Sequence, residues 1–161
     1  MLDDKINQSL ELDVQFAVLS PTQLPDSKEI EVWVAAALKH QEHNNNSETH
    51  LTIRVVNEQE GAKLNEEYRG EKGATNVLSF PYEGFDELDI PLLGDIVICN
   101  PVIIREAGQQ GKAYKAHWCH MVVHGVLHLL GYDHLNEQDA LDMESREIKI
   151  LGDLGFNDPY K

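Results

Sequence analysis

The chain is organised around the stretch His124-Gly125-Val126-Leu127-His128-Leu129-Leu130-Gly131-Tyr132-Asp133-His134. His124 and His128 are four residues apart, so on a helix they lie one above the other on the same face. Gly131 can adopt the left-handed conformation that ends a helix, and the turn can then bring His134 back to the same point. Three imidazoles that converge on one point, with a fourth position open, are typical of a catalytic rather than a structural zinc site. The spacing therefore predicts a metal site with His124, His128 and His134 as ligands.

The residue after the first histidine distinguishes this site from that of a common class of metalloproteases. In the metzincins, which share the H-x-x-x-H-x-x-G-x-x-H spacing, that position holds a glutamate that acts as general base. Here the position holds Gly125, which cannot accept a proton. The chain has the three histidines of the metal site but lacks the general base, which argues against peptide hydrolysis. Histidines also occur as core or capping residues, but the third histidine after a glycine turn favours the metal.

The composition is that of one soluble globular domain. The chain has 161 residues, of which 42% are hydrophobic and 25% charged. This length is sufficient for a hydrophobic core that needs no disulfide bonds to stabilise it. Cys99 and Cys119 lie inside apolar runs, which favours buried free thiols in a reducing compartment over a disulfide. The first residues, Met1 to Lys5, include two aspartates where a signal peptide has basic residues. No apolar run approaches membrane-spanning length. These features predict a cytoplasmic protein.

The net charge restricts how this chain can bind nucleic acid. It is −15 at pH 7, whereas a generic phosphate-binding surface makes a domain basic. Any binding of RNA must then rely on a local basic patch, a metal ion or a partner. The turn Arg69-Gly70-Glu71-Lys72-Gly73, with Lys63 and Arg54 nearby in sequence, is the candidate basic lip. The alternative for this turn is an ordinary solvated loop.

Periodicity predicts a single domain over residues 1–161 with four strands and about five helices in mixed order, and we expect an α/β (α+β) fold with a mixed four-stranded sheet. The predicted strands are Leu12–Val18, Leu51–Val56, Val77–Phe80, which ends at Pro81, and a central strand at Ile96–Cys99. The predicted helices are Asp26 or Ser27 to His40, Asn57–Tyr68, Pro101–Ile104, Tyr114–Leu130 and a last one capped by Asn136. His43–Ser47 and Glu83–Asp89 are predicted to be polar loops. Because Tyr114–Leu130 is apolar around much of its circumference, we expect this helix to be buried with the metal site on it.

Several segments together resemble one known family. The histidine stretch and three other segments are similar to the motifs of the YbeY family of bacterial rRNA-maturation endoribonucleases; these segments are Tyr68-Arg69-Gly70, Thr75-Asn76-Val77-Leu78-Ser79-Phe80-Pro81 and Leu93-Gly94-Asp95-Ile96-Val97-Ile98-Cys99. Arg146-Glu147-Ile148 and Asp158-Pro159-Tyr160 fit as well. The resemblance runs from about Leu51 onward, with no departure at the motif positions.

The resemblance implies a zinc-dependent endoribonuclease, specific for single-stranded RNA, that acts in 16S rRNA 3′-end maturation and in ribosome quality control. It implies one Zn²⁺ ion on His124, His128 and His134, and a catalytic role for Arg69 and for His124. The implied partners are rRNA, the small ribosomal subunit and ribosome-associated proteins, with no DNA and no membrane.

The residues themselves are compatible with this chemistry. A zinc ion held by three histidines lowers the pKa of bound water towards ~7 and polarises a phosphoryl oxygen. The planar guanidinium of Arg69 can grip two phosphate oxygens while negative charge builds up in the transition state. Metal-bound water and the ribose 2′-OH both fit as the nucleophile. Two other functions stay open: a metal-dependent hydrolase of another substrate, and a zinc-containing ribosome-assembly factor with little catalysis of its own.

Four further residues are candidates for the surroundings of the metal. Asp133, next to a ligand, is expected to orient an imidazole, with a role as general base as the alternative. Asp95, at the head of the central strand, either lines the cleft or forms a turn. Ser79 either binds a phosphate or satisfies a backbone group. His120 and His117 share the ligand face at helical spacing with His124 and His128, and for this pair packing or solvent exposure is favoured over a role in the cleft as proton carriers or RNA contacts.

Overall fold

The structure, a computed structural model, describes residues 10–18, 23–39, 49–82 and 92–161. These residues form four strands and five helices, which in chain order are β1 (Leu10–Ala17), α1 (Ser27–Leu38), β2 (Thr49–Val56), α2 (Glu58–Arg69), β3 (Val77–Pro81), β4 (Leu92–Cys99), α3 (Asn100–Gln110), α4 (Tyr114–Leu129) and α5 (Glu137–Asp153). The predicted α/β class with a four-stranded mixed sheet and five helices is confirmed. The two predicted polar loops and the predicted helix end at His40 lie outside the described residues. In the part of the chain that is described, no helix is both long and apolar enough to cross a membrane.

The sheet has the strand order β1-β2-β4-β3. β1 is parallel to β2 and β2 is parallel to β4, while β3 pairs antiparallel with β4 at the edge of the sheet. The predicted end of β3 before Pro81 is wrong, because Pro81 still pairs with Gly94 of β4. A proline lacks the N–H of a sheet ladder, so an edge strand is the place where the sheet tolerates it.

β1 and β2 each begin two residues before their predicted starts, at Leu10 and Thr49, and β1 ends at Ala17 rather than Val18. Two other elements extend by four residues or more beyond their predicted bounds. β4 begins at Leu92 rather than at Ile96, because its first residues already pair with β2 and β3. α3 continues past Ile104 to Gln110, and its residue Ala107 is buried, so this part of the helix is still covered by the rest of the domain. It ends at Gly111, whose φ of 68° provides the left-handed C-cap.

The sheet separates two apolar layers, because successive side chains of a strand point to opposite faces. Ile96 and Ile98 of β4 enter the main core, which they share with residues of α1, α4 and α5. Val97 and Cys99 enter the smaller layer, which contains residues of α2 and α3. β4 is therefore apolar on both faces, as the sequence predicts for a central strand. Cys99, like Cys119 of α4, is a buried free thiol.

α4 is the most enclosed helix and lies close against the sheet. Trp118, Val122 and Val126 have no exposed surface. At Gly125, an added Cβ would stand 3.2 Å from side-chain atoms of Ile96 and 3.3 Å from Oγ of Ser79. The absence of a side chain at Gly125 thus lets the helix approach β3 and β4, and this brings the end of α4 to the edge of the sheet.

Gly94 is the glycine on which the β3–β4 pair depends most. Its φ of 151° disfavours any side chain, and an added Cβ would lie 2.4 Å from the carbonyl oxygen of Phe80. We expect Gly94→Ala to lower the free energy of unfolding by about 2–4 kcal/mol. Gly108→Ala, in open space on α3, is the matched control and should be neutral or stabilise by up to about 1 kcal/mol. Urea denaturation measures both variants, and equal effects would contradict the close approach of the two strands at Gly94.

Candidate metal centre

The end of α4 brings the three predicted ligands together. His124 and His128 lie on the last turns of the helix, and Gly131 follows with a φ of 104°. The turn carries His134 back, so that the ring centroids of the three histidines are 4.6 to 5.9 Å apart. One nitrogen of each ring lies within 4.8 Å of the other two. A single ion can therefore contact all three imidazoles.

The cluster opens onto a cleft of about 630 Å³. His124 and His128 are partly buried, while His134 is exposed at the rim. The cleft is lined by the end of α2, by β3 with the residues before it, and by the histidine turn; its lining residues are Tyr68, Arg69, Thr75, Asn76, Val77, Leu78, Ser79, Phe80, Pro81, His124, His128, Gly131, Tyr132, Asp133 and His134. A metal ion held by the histidines would thus keep one side open to a substrate.

A buried carboxylate holds the first histidine in place. Glu147 of α5 has no exposed surface, and its Oε2 accepts a hydrogen bond from Nδ1 of His124 at 2.5 Å. Its other oxygen, Oε1, accepts from Nε2 of His120 at 2.9 Å and from the hydroxyl of Tyr160. An imidazole that donates through Nδ1 has the lone pair of Nε2 free for a metal ion. Glu147 therefore selects the tautomer and the ring orientation that His124 would need as a metal ligand.

The protonation states in this region favour metal binding. Burial by itself would raise the pKa of Glu147, but the hydrogen bonds from His120 and His124 outweigh it and lower the pKa to about 2. Burial lowers the pKa of His128. Metal binding requires neutral imidazoles, and an ionised carboxylate behind a ligand strengthens its basicity.

Glu147 is a site residue that the sequence analysis missed. It lies on the same face of α5 as the buried residues Met143, Ile150 and Leu151. A glutamate on the apolar face of an amphipathic helix requires a partner, because an unpaired buried charge is costly. This pattern in the sequence could have identified Glu147 as a buried residue with a polar partner. It indicates that a partner exists, but only the packing of α5 on α4 shows that the partner is His124.

Asp133 lies at the cluster without orienting a ligand. Its Oδ1 accepts a hydrogen bond from the backbone N–H of His134 at 2.8 Å. The same oxygen is 3.9 Å from Nδ1 of His128, which is too long for a hydrogen bond. Asp133 therefore shapes the turn that carries His134, and of these two carboxylates it is Glu147 that holds the ring of a candidate ligand.

The other three candidates occupy different places. Ser79 lines the cleft, but its hydroxyl donates to the carbonyl of Gly125 at 3.0 Å and so ties β3 to α4. Asp95 is exposed and, because strand side chains alternate, points to the face of β4 opposite Ile96, away from α4. His120 is buried behind the cluster, where it donates to Glu147 rather than facing the cleft.

Arg69 is the member of the predicted basic lip that reaches the cleft. It is the last residue of α2, which ends in the left-handed Gly70, and its side chain is half-exposed. Among the described residues, Arg69 forms an ion pair with Glu71 at 3.7 Å, a long and exposed contact that contributes little. By contrast, Nε of Arg54 is bound to Glu60 at 2.7 Å, and neither Arg54 nor the exposed Lys63 is among the cleft residues.

Comparisons with known proteins identify relatives of this chain. The model of a protein family described as endoribonuclease YbeY matches residues 19–155. A curated protein named endoribonuclease YbeY, from Pseudomonas savastanoi pv. phaseolicola (strain 1448A / Race 6), is 51% identical over 152 residues, which cover 94% of this chain and 88% of the relative. The solution structure of TM1509 from Thermotoga maritima shares the fold, with a TM-score of 0.52 at 22% identity over 91% of this chain and 99% of that one.

We expect Glu147→Gln to change the acid unfolding of the metal-free protein. The pKa of Glu147 is about 2 in the folded protein against an ordinary value of 4.5, so its stabilising contribution is fully present above the ordinary value and is lost as the pH falls towards 2. This contribution is on the order of 3 kcal/mol. The unfolding free energy of the variant should therefore fall less steeply with acid than that of the wild type.

Urea denaturation at several acidic pH values, in the presence of a chelator, measures this difference. Glu31→Gln, which removes an exposed carboxyl group from α1, is the control and should follow the wild-type curve. Parallel curves for the wild type and Glu147→Gln would contradict the buried ionised carboxylate.

Proposed function

The chain belongs to the family of endoribonuclease YbeY, an RNA-cleaving hydrolase, and from this premise we propose that it cleaves single-stranded RNA with a metal ion held by His124, His128 and His134. One observation carries the proposal. Nitrogens of the three imidazoles lie within 4.8 Å of one another, and the same cleft contains Arg69. A metal site and a half-exposed guanidinium in one cleft are what phosphodiester cleavage requires.

Zinc is the metal that we propose, with one ion per chain. Three neutral imidazoles and an open fourth position are the ligand set of catalytic zinc sites. The fit is supported by the hydrogen bond from His124 to Glu147 and by the lowered pKa of His128. When bound, the ion would supply a Lewis acid for a phosphoryl oxygen or a water molecule.

Two side chains of the cleft are assigned to the reaction itself. Arg69 binds the scissile phosphate and stabilises the negative charge of the transition state, because its planar fork matches two phosphate oxygens. Asp133 is the one carboxylate among the cleft residues of the described chain. With Glu147 holding His124, Asp133 is the group in the cleft that can accept the proton of an attacking water or 2′-hydroxyl.

The mouth of the cleft suits an unpaired base. Tyr68, next to Arg69, is 64% exposed, and its ring packs edge-on against Phe80 with 5.2 Å between the centroids. This contact restrains the ring and leaves much of its surface open. Aromatic rings stack on unpaired bases irrespective of charge, so Tyr68 can bind single-stranded RNA even though the chain carries a net charge of −15.

The substrate that we propose is rRNA, at the 3′ end of 16S rRNA, with roles in its maturation and in ribosome quality control. An acidic chain gains little affinity from general attraction to phosphates. Targeting therefore comes from the small ribosomal subunit and its associated proteins, and the protein acts in the cytoplasm, where these partners are. Cleavage of DNA and contact with a membrane are not part of this function.

The central test is cleavage of a precursor 16S rRNA 3′ fragment by the wild type and by His128→Ala, purified side by side. We expect cleavage by the wild type alone, because His128→Ala removes a metal ligand. The paired variant also detects contaminating ribonuclease. Equal cleavage by the wild type and by metal-free His128→Ala would contradict catalysis at the metal site and would favour a ribosome-assembly factor.

In the same assay, Arg69→Ala should lower the rate about 100-fold, the usual cost of losing one group that stabilises the transition state. Its metal content should not change, because Arg69 is not a ligand. Arg105→Ala is the matched control, since Arg105 is equally exposed but pairs with Glu58 and lies outside the cleft residues. Equal loss of activity in both variants would indicate a general effect of charge instead.

We expect Tyr68→Leu to weaken binding of single-stranded RNA about 5-fold to 100-fold, the range for loss of one stacked base. Tyr68→Trp should bind at least as tightly as the wild type. Phe16→Leu, which removes a 42% exposed ring from the opposite edge of the sheet, is the control and should have no effect. Fluorescence anisotropy with labelled oligonucleotides measures binding, and an unchanged affinity of Tyr68→Leu would exclude a stacking role.

A further inference from the structure

Residues 155–161, which follow α5, fold back onto the helices around the histidine cluster. Gly155, with a φ of 93°, reverses the chain, and the N–H of Phe156 donates to the carbonyl of Leu151 at 2.8 Å. The ring of Phe156 then packs edge-on against Trp33 of α1, with 6.3 Å between the centroids. Segment 155–161 is therefore packed against the main core of the domain.

Two polar contacts hold the end of this segment. Nζ of Lys112, in the turn between α3 and α4, donates to the carbonyl of Pro159 at 2.8 Å. The carboxylate of Asp158 accepts from the backbone N–H of Tyr160, also at 2.8 Å. The ring of Tyr160 consequently stands edge-on to His120, with 5.4 Å between the centroids. These contacts fix the direction in which the Tyr160 side chain points.

The hydroxyl of Tyr160 reaches the carboxylate that holds the first histidine. It donates to Oε1 of Glu147, whose Oε2 accepts from Nδ1 of His124. Burial and the hydrogen bond to Glu147 raise the pKa of Tyr160, so the phenol stays protonated and remains a donor. A continuous chain of hydrogen bonds therefore runs from Tyr160 through Glu147 to His124. Tyr160 itself is about half exposed, so this chain leads from the protein surface to the histidine cluster.

We propose that Tyr160 is a positioning residue of the metal centre, which acts through Glu147 to hold His124 in the geometry of a ligand. The inference rests on the proposed metal site at the three histidines. Without the hydroxyl, Oε1 of Glu147 keeps only His120 as a hydrogen-bond donor among the described residues, and the carboxylate is less firmly held. A less firmly held carboxylate orients the His124 ring less well, which weakens metal binding.

The test is the zinc affinity of Tyr160→Phe, measured by competition with a chromophoric chelator. This variant keeps the ring against His120 and removes only the hydroxyl. Loss of a hydrogen-bond partner directly behind a ligand typically weakens metal binding about 10-fold to 100-fold, which is the result expected for Glu147→Gln. For Tyr160→Phe, one hydrogen bond further from the metal, we expect the Kd for Zn²⁺ to rise about threefold to tenfold.

Tyr114→Phe is the matched control, because it removes the same hydroxyl group from the start of α4, about 15 Å along the helix from His124. Its Kd for Zn²⁺ should equal that of the wild type. Thermal unfolding of the metal-free proteins establishes that all variants are folded. A folded Tyr160→Phe protein that binds Zn²⁺ as tightly as the wild type would overturn the proposal.

A second measurement separates positioning from a structural role. In the metal-free protein, the Nδ1–H proton of His124 donates to a carboxylate and should resonate far downfield in the NMR spectrum of ¹⁵N-histidine-labelled protein. We expect Tyr160→Phe to shift this resonance and Tyr114→Phe to leave it in place. An unshifted resonance in Tyr160→Phe would overturn the proposal, since a residue that only supports the fold does not change this hydrogen bond.

Neither measurement uses RNA, so the two proposals can fail separately. A wild-type protein that binds Zn²⁺ but does not cleave RNA would contradict the proposed function and leave the role of Tyr160 intact. Cleavage of RNA by a wild type and a Tyr160→Phe variant of equal zinc affinity would overturn only the role of Tyr160.

Discussion

The hydrogen bond between Nδ1 of His124 and Oε2 of Glu147 is the contact on which the site and the packing of the last two helices both depend. It joins α4 to α5 across the main core, where Glu147 has no exposed surface. A buried charge is tolerated only with partners, so α5 can pack here only if its carboxylate meets donors. The donors are His120, His124 and Tyr160. The need to satisfy one buried carboxylate thus determines how a proposed metal ligand is oriented.

The second constraint is the close approach of α4 to the sheet at Gly125. The glycine removes the side chain that the metzincins use as general base at this position, and it also makes room for Ile96 and Ser79. One residue therefore has both a chemical and a structural consequence. Because the helix lies so close, the hydroxyl of Ser79 bonds to the carbonyl of Gly125, and β3 becomes the floor of the cleft.

The position of β3 at the edge of the sheet explains how residues from two layers meet in one cleft. α2 packs on one face of the sheet and α4 on the other. An internal strand would keep Arg69 and Tyr68 of α2 apart from the histidines of α4. At the edge, the cleft extends around β3 and is lined from both sides. The positive charge and the aromatic ring therefore lie near the proposed metal although the chain as a whole is acidic.

The sequence by itself determined the class of fold, the number of strands and helices, and the convergence of His124, His128 and His134. These follow from local rules, because the helical repeat and the left-handed turn at Gly131 act over a few residues. Only the tertiary structure decided that Arg69 shares their cleft, that β3 continues through Pro81 at an edge, and that Glu147 and Tyr160 stand behind His124. Glu147 is 23 residues from His124 in the chain and Tyr160 is 13 residues beyond Glu147. At such separations no backbone repeat fixes the geometry, and the contacts follow from how the helices pack.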